Sequence, residues 1–219
     1  MPKGTYHHLD PDGVIVGVEV FSCAPGPSGW RYVSQTHDPE GRAQSRVDLT
    51  VDDRWRQLRV QVAAGGWLVR GGLTGREVAW VRTPEEPTRA PAPDDVTEQR
   101  AAAIGFTGTS PAFIIATARL LGLAADGRRT AKLVRITEPA CAALPIDEGW
   151  ALVDVTTHEQ ADHDPLTVER YEIADLATAE RRVVHLAGDV VVDATGLELV
   201  ALESPPTQWP TGSDAVPTD

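Results

Sequence analysis

Two stretches carry residue types at spacings that could do chemistry. Gly108-Thr109-Ser110-Pro111-Ala112 approximates the G-x-S-x-G turn that presents a nucleophilic serine at the start of a helix. Its fifth position is alanine, and the oxyanion hole of such a turn needs the backbone N–H of the residue after the serine, which Pro111 lacks. Ser110-Pro111 reads instead as a helix start, because a serine hydroxyl caps free amide groups and proline suits the first turn. His158-Glu159-Gln160-Ala161-Asp162-His163-Asp164 approximates HExxH with Asp162 in place of the second histidine. A zinc site of that kind needs both ligands on one helix face. This segment follows a run of strand character and precedes Asp164-Pro165, so a polar hairpin loop is expected. A metal-assisted hydrolase using His158, Glu159, Asp162 and His163 is the competing reading.

The remaining candidates are weaker as chemistry. His7-His8 and His37-Asp38 sit in turn-like polar segments and are expected to be solvated loop residues. Gly65, Gly66, Gly71, Gly72 and Gly75 lack the Gly-Lys-Ser/Thr ending of a phosphate loop and are expected in hairpin turns. No catalytic constellation, metal site or cofactor motif emerges, so a noncatalytic protein is expected. Trp30, Trp55, Trp67 and Trp80 all fall in the N-terminal part. Indole can line a pocket through its broad face and single N–H donor, and the competing role is ordinary core packing.

Short strands must position these residues. Val14 to Phe21 is rich in β-branched residues between Asp-Gly and Pro-Gly turns, and Trp30 to Thr36 makes another strand. Val47, Leu49 and Val51 alternate with charged or polar neighbours, Asp53-Arg54 turns, and Leu58, Val60 and Val62 alternate again. Such half-exposed strands belong to antiparallel sheets. Trp67 to Arg70 and Glu77 to Val81 continue the meander, and the Pro-rich Thr83 to Arg100 is expected as a surface loop. A helix should run from Ser110 to about Leu121 and stop at Gly122. Its two apolar stripes, Phe113-Ala116-Leu120 and Ile114-Ala118-Leu121, predict burial on more than one side. Ala131 to Thr137, Trp150 to Thr157, Leu166 to Ile173 and a central hairpin from Arg182 to Leu202 complete the pattern. The expectation is one mainly β (α+β) domain over residues 1–203, with a flexible tail over 204–219.

Charge and cysteine usage exclude whole classes of function. Among 219 residues, 32 acidic against 20 basic side chains give a net charge of −12, which repels phosphate backbones and makes nucleic acid an unexpected partner. No run reaches membrane-spanning length and no signal peptide is legible. Cys23 and Cys141, far apart in sequence, read as two free buried thiols in a reducing cytoplasm, so the expected location is cytoplasmic.

SPAFIIATARLL, Ser110 to Leu121, resembles the SPxTNxLPIRRL-type segment of a glycolipid-binding family. Val47 to Val62 resembles that family's strand pair bearing tryptophan and arginine, and VVVDATGLELVALE resembles its closing hairpin. The family's Thr-Asn pair is Phe113-Ile114 here, and one of its two arginines is Ala118, which leaves Arg119. The resemblance implies a curved antiparallel half-barrel, like that of lipoprotein carriers, with the helix on its concave face. It also implies an apolar or glycolipid ligand, with Trp55, Arg59 and Arg119 as the matched cleft positions. With Trp67, Trp80 and Phe113 these make the expected ligand-binding set. A protein–protein interaction module or homodimer without a small ligand is the alternative.

Overall fold

The computed structural model describes residues 1–27, 29–86, 96–159 and 164–209. The N-terminal strands are β1 (Lys3–Leu9), β2 (Ile15–Gly26), β3 (Gly29–His37), β4 (Ala43–Asp52), β5 (Gln57–Ala64), β6 (Trp67–Thr74), β7 (Glu77–Pro84) and β8 (Thr97–Ala101). β9 (Gly105–Thr107) leads into α1 (Pro111–Leu121). Then come β10 (Arg128–Thr137), β11 (Ala142–His158), β12 (Leu166–Asp175), β13 (Arg181–Ala187), β14 (Val190–Ala194) and β15 (Leu197–Leu202). They form one curved, open sheet in the order β8-β7-β6-β5-β4-β3-β2-β1-β15-β14-β13-β12-β11-β10-β9. Every ladder is antiparallel except β9 with β10. The fold class is therefore as expected, mainly β with one helix.

The helix begins and ends where the residues dictate. Ser110 is its N-cap and accepts the Ala112 N–H, Pro111 occupies the first turn, and Gly122 closes it at φ 52°, the left-handed conformation that glycine adopts without a Cβ penalty. Nine of its residues are buried, including Ala112, Ile115 and Ala116 with no exposed surface. Seven of them join one apolar cluster with Tyr6, Phe21, Tyr32, Leu49, Val60, Phe106, Leu133, Tyr171 and Val184 from the sheet. The helix thus fills the concavity of the sheet, as its two apolar stripes require.

Four expectations are corrected. The N-terminal residues read as a polar segment form β1, which pairs with both β2 and β15 in the middle of the sheet, and His8 is buried there. The sequence MPKGTYHHL has little β-branched character, so only tertiary pairing makes it a strand. In the Val47 to Val62 hairpin, a bulge between Thr50 and Val51 turns Leu58 out to solvent and Gln57 into the core. Buried Gln57 is satisfied there: its Oε1 accepts the Phe106 N–H at 2.7 Å and its Nε2 donates to the Phe106 carbonyl at 3.0 Å. Gly71 and Gly72 lie inside β6, not in a turn, and a Cβ on Gly71 would stand 2.8 Å from the Phe106 ring. Gly65, Gly66 and Gly75 do occupy turns, with positive φ. Finally, the span expected as a loop over 83–100 contains the end of β7 and most of β8, while residues 87–95 lie outside the described residues.

Residues 204–209, part of the expected tail, run along the sheet. The Thr207 N–H donates to Asp189 Oδ1 at 2.6 Å, Gln208 bonds the Thr167 N–H and the Pro165 carbonyl, and Trp209 packs edge-on to Trp55. Residues 210–219 lie outside the described residues.

Candidate functional site

Two cavities flank the loop that enters α1, and they share Thr109 and Glu138. The smaller, of about 100 Å³, is lined by His8, Glu19, Thr36, Gln44, Ser45 and Ser110. Its floor is a buried polar network carried by three inward strand positions and the helix cap. Glu19 Oε1 accepts from Tyr32 Oη at 3.1 Å and from Ser110 Oγ at 2.6 Å, and Glu19 Oε2 pairs with His8 Nε2 at 2.8 Å. A carboxylate without solvent exposure needs such donors, since an unpaired buried charge is strongly unfavourable. Burial, with the Glu19 carboxylate adding to it, pushes Glu138 above the usual carboxylate range. Ser110 Oγ thus serves as helix cap and as donor to Glu19. It has a carboxylate, not an imidazole, as its partner, and this geometry is that of a structural network.

The larger cavity, of about 400 Å³, opens on the other side of Thr109. Arg135, Glu148, Asp175 and Arg182 surround it, Thr107, Thr109 and Thr137 line it, and Ile136 and Ile173 give it apolar walls. The charges are paired. Glu148, almost wholly buried, accepts from Trp150 Nε1 at 3.0 Å and from Arg182 at 3.0 Å, and Arg135 bridges Glu148 at 3.5 Å and Asp175 at 3.0 Å. The Ala177 and Thr178 N–H groups, helped by Arg135, hold Asp175 below its ordinary value. Alternating guanidinium and carboxylate groups beside threonines present donors and acceptors in close succession, as recognition of a hydroxyl-rich group requires.

No family model matches the chain, and no curated protein resembles it in sequence. A DUF1089 family protein from Pseudomonas aeruginosa, known from its crystal structure, superposes with a TM-score of 0.53 at 16% identity, covering 81% of this chain and 89% of that one. The likeness is one of fold.

The six residues expected to bind ligand do not converge on one cleft. Trp55, at φ 61° in the β4–β5 turn, packs at a tilt against Trp30 and edge-on to Trp209. Trp80 is buried edge-to-face with Phe106, and Phe113 is buried beneath Gly108. Trp67 lies under the Arg82 guanidinium, 3.3 Å from the ring centroid. Arg59 points to the outer face toward Asp48 at 3.7 Å. Arg119 pairs with Glu169 at 2.6 Å and donates to the Gly188 carbonyl in the last turn of α1, where a cation also complements the helix dipole. Of the four residues of the competing metal-assisted reading, Asp162 and His163 lie outside the described residues. Among the described residues no cluster of three or more His, Cys, Asp or Glu side chains has metal-binding geometry.

Sequence reasoning missed Glu19, Arg135, Glu148 and Arg182. Only Glu19 left a signal: it is the one charge within VIVGVEVFS, at the same parity as Gly17, Phe21 and Cys23, all of which face inward.

Proposed function

We propose that this protein is a noncatalytic binding protein for a small amphipathic ligand, whose hydroxyl-rich head occupies the 400 Å³ cavity beside the N-terminus of α1. The observation that carries the reading is the ring of Arg135, Glu148, Asp175 and Arg182 with three threonines over Ile136 and Ile173. Pockets of this size hold small molecules, and convergent polar groups on an apolar floor set their orientation. The resemblance of the Ser110 helix to the glycolipid-binding segment supports a glycosyl head. Because α1 already fills the concavity, the ligand sits at the open end of the helix rather than beneath it.

Alkyl glycosides of increasing chain length test this by calorimetry, alongside native mass spectrometry of the purified protein for retained lipid. Stoichiometric binding that tightens with chain length and weakens about tenfold in Arg135→Ala is expected, a loss of the size of one charge-assisted hydrogen bond. Absence of both retained lipid and glycoside binding would overturn the reading.

A further inference from the structure

A second groove, of about 420 Å³, crosses β10 to β13. In these ladders Arg128 stands opposite Ala151, and Ala151 opposite Glu172. Thr130, Gly149, Ala174 and Arg181 form the next row. Residues two apart on a strand share a face, so the two rows lie side by side. That face is the reverse of the one that buries Trp150 and Ile173, which pair with each other between the rows. Ala151, Gly149 and Ala174 leave the floor almost bare of side chains, and long arginines rise from its two sides, three strand spacings or about 14 Å apart. Arg129, paired with Trp150 between the rows, belongs to the reverse face.

Among the described residues, no carboxylate is ion-paired with Arg128, Arg129 or Arg181. The single carboxylate of the lining, Glu172, is engaged by Arg170 at 3.3 Å. Two unmatched guanidinium groups facing one small groove are notable in a chain whose net charge is −12. An anion lying between them can engage both long side chains, and the planar guanidinium fork matches the oxygens of a tetrahedral oxyanion. The excess negative charge elsewhere opposes an extended polyanion but is largely screened beyond about 10 Å, so a single compact anionic group fits where a nucleic acid does not.

We propose that this groove is an anion site that takes a phosphate monoester, held by Arg128 and Arg181 across the bare floor with Thr130 beside it. Such a group occurs on free phosphorylated small molecules and on phosphatidic acid headgroups, and the chemistry of recognition is shared. The site is separate from the cavity proposed above, although Arg181 lines both. Arg128 and Ala151 line only the groove, so their variants leave the first cavity intact.

The test is calorimetric titration of the full chain with glycerol 3-phosphate at low and physiological salt, together with flotation on phosphatidylcholine vesicles with and without phosphatidic acid. Saturable binding is expected, weakened about tenfold by Arg128→Ala and abolished by Ala151→Glu, which sets a carboxylate on the floor. Arg135→Ala is expected to leave it unchanged, which separates this site from the glycoside cavity. Binding of the free ester alone identifies a soluble ligand, and added flotation with phosphatidic acid identifies a headgroup. Equal far-UV spectra and melting curves of the variants establish that folding is unaltered. No saturable binding in either arm, or binding unaffected by Arg128→Ala, would overturn the proposal.

Discussion

Glu19 shows how much one buried side chain can organise. Its carboxylate gathers Tyr32, Ser110 and His8 from two strands and the helix cap, so Glu19→Ala leaves three donors without their acceptor. A loss of about 3 kcal/mol in urea unfolding is expected, within the range for breaking a buried charged network. Asp189 is a second buried carboxylate. Wholly buried, it accepts from Trp30 Nε1 at 3.2 Å and from the Thr207 N–H, yet burial raises its carboxyl above the ordinary 3.8. The folded state therefore holds that proton more tightly than the unfolded state does. Its contribution is fully present below the ordinary value and is lost as pH rises through the raised folded value. Asp189→Asn should flatten the rise in stability on acidification through that window, which unfolding curves at a series of pH values will read. The two thiols belong to the same scale. Burial pushes Cys141 up to about 11 and Cys23 higher still, so neither should react with a disulfide reagent at neutral pH until the chain is unfolded. A thiol that titrates at native rates would contradict their placement.

At the level of elements, the parts that local chemistry specifies were legible and the parts that tertiary pairing specifies were not. Ser110, Pro111 and Gly122 announce α1 because capping and left-handed closure are properties of those residue types. The Val47 to Val62 hairpin was legible for the same reason, yet alternation alone could not reveal its bulge, which exchanges Leu58 for Gln57. Gln57→Leu keeps the volume but removes both bonds to the Phe106 backbone, so it should cost about 2 kcal/mol by thermal melting in spite of its greater hydrophobicity. β1 escaped notice because its inward residues are Gly4, Tyr6 and His8, a pattern of aromatic and polar groups that becomes a strand only between β2 and β15. The larger cavity was hidden for a related reason. Arg135, Glu148 and Arg182 sit on β10, β11 and β13, and no spacing along the chain foretells that β12 sets them side by side. The tryptophans were conspicuous as composition, but Trp30 and Trp80 were absorbed by packing.

The whole molecule is a single sheet whose residues 204–209 are fastened back across it. Thr207, Gln208 and Trp209 link that segment to Asp189, Thr167 and Trp55. Truncation after Glu203 should therefore expose Trp55 and red-shift the tryptophan emission, with a lower melting temperature, whereas an unshifted spectrum would mean that this segment contributes no packing. Every ladder in the sheet joins strands consecutive in the chain, with one exception: β1 pairs with β15. That exception orders events during synthesis. The β2 to β8 meander can zip up as it emerges, since each strand needs only its predecessor, but one side of β1 must wait for the last strand of the sheet to be made. Until then β1 offers its unpaired amides and carbonyls to any passing strand, so the nascent chain is most exposed to misassociation at this seam, and a ribosome stalled before Leu197 would release a species prone to aggregate.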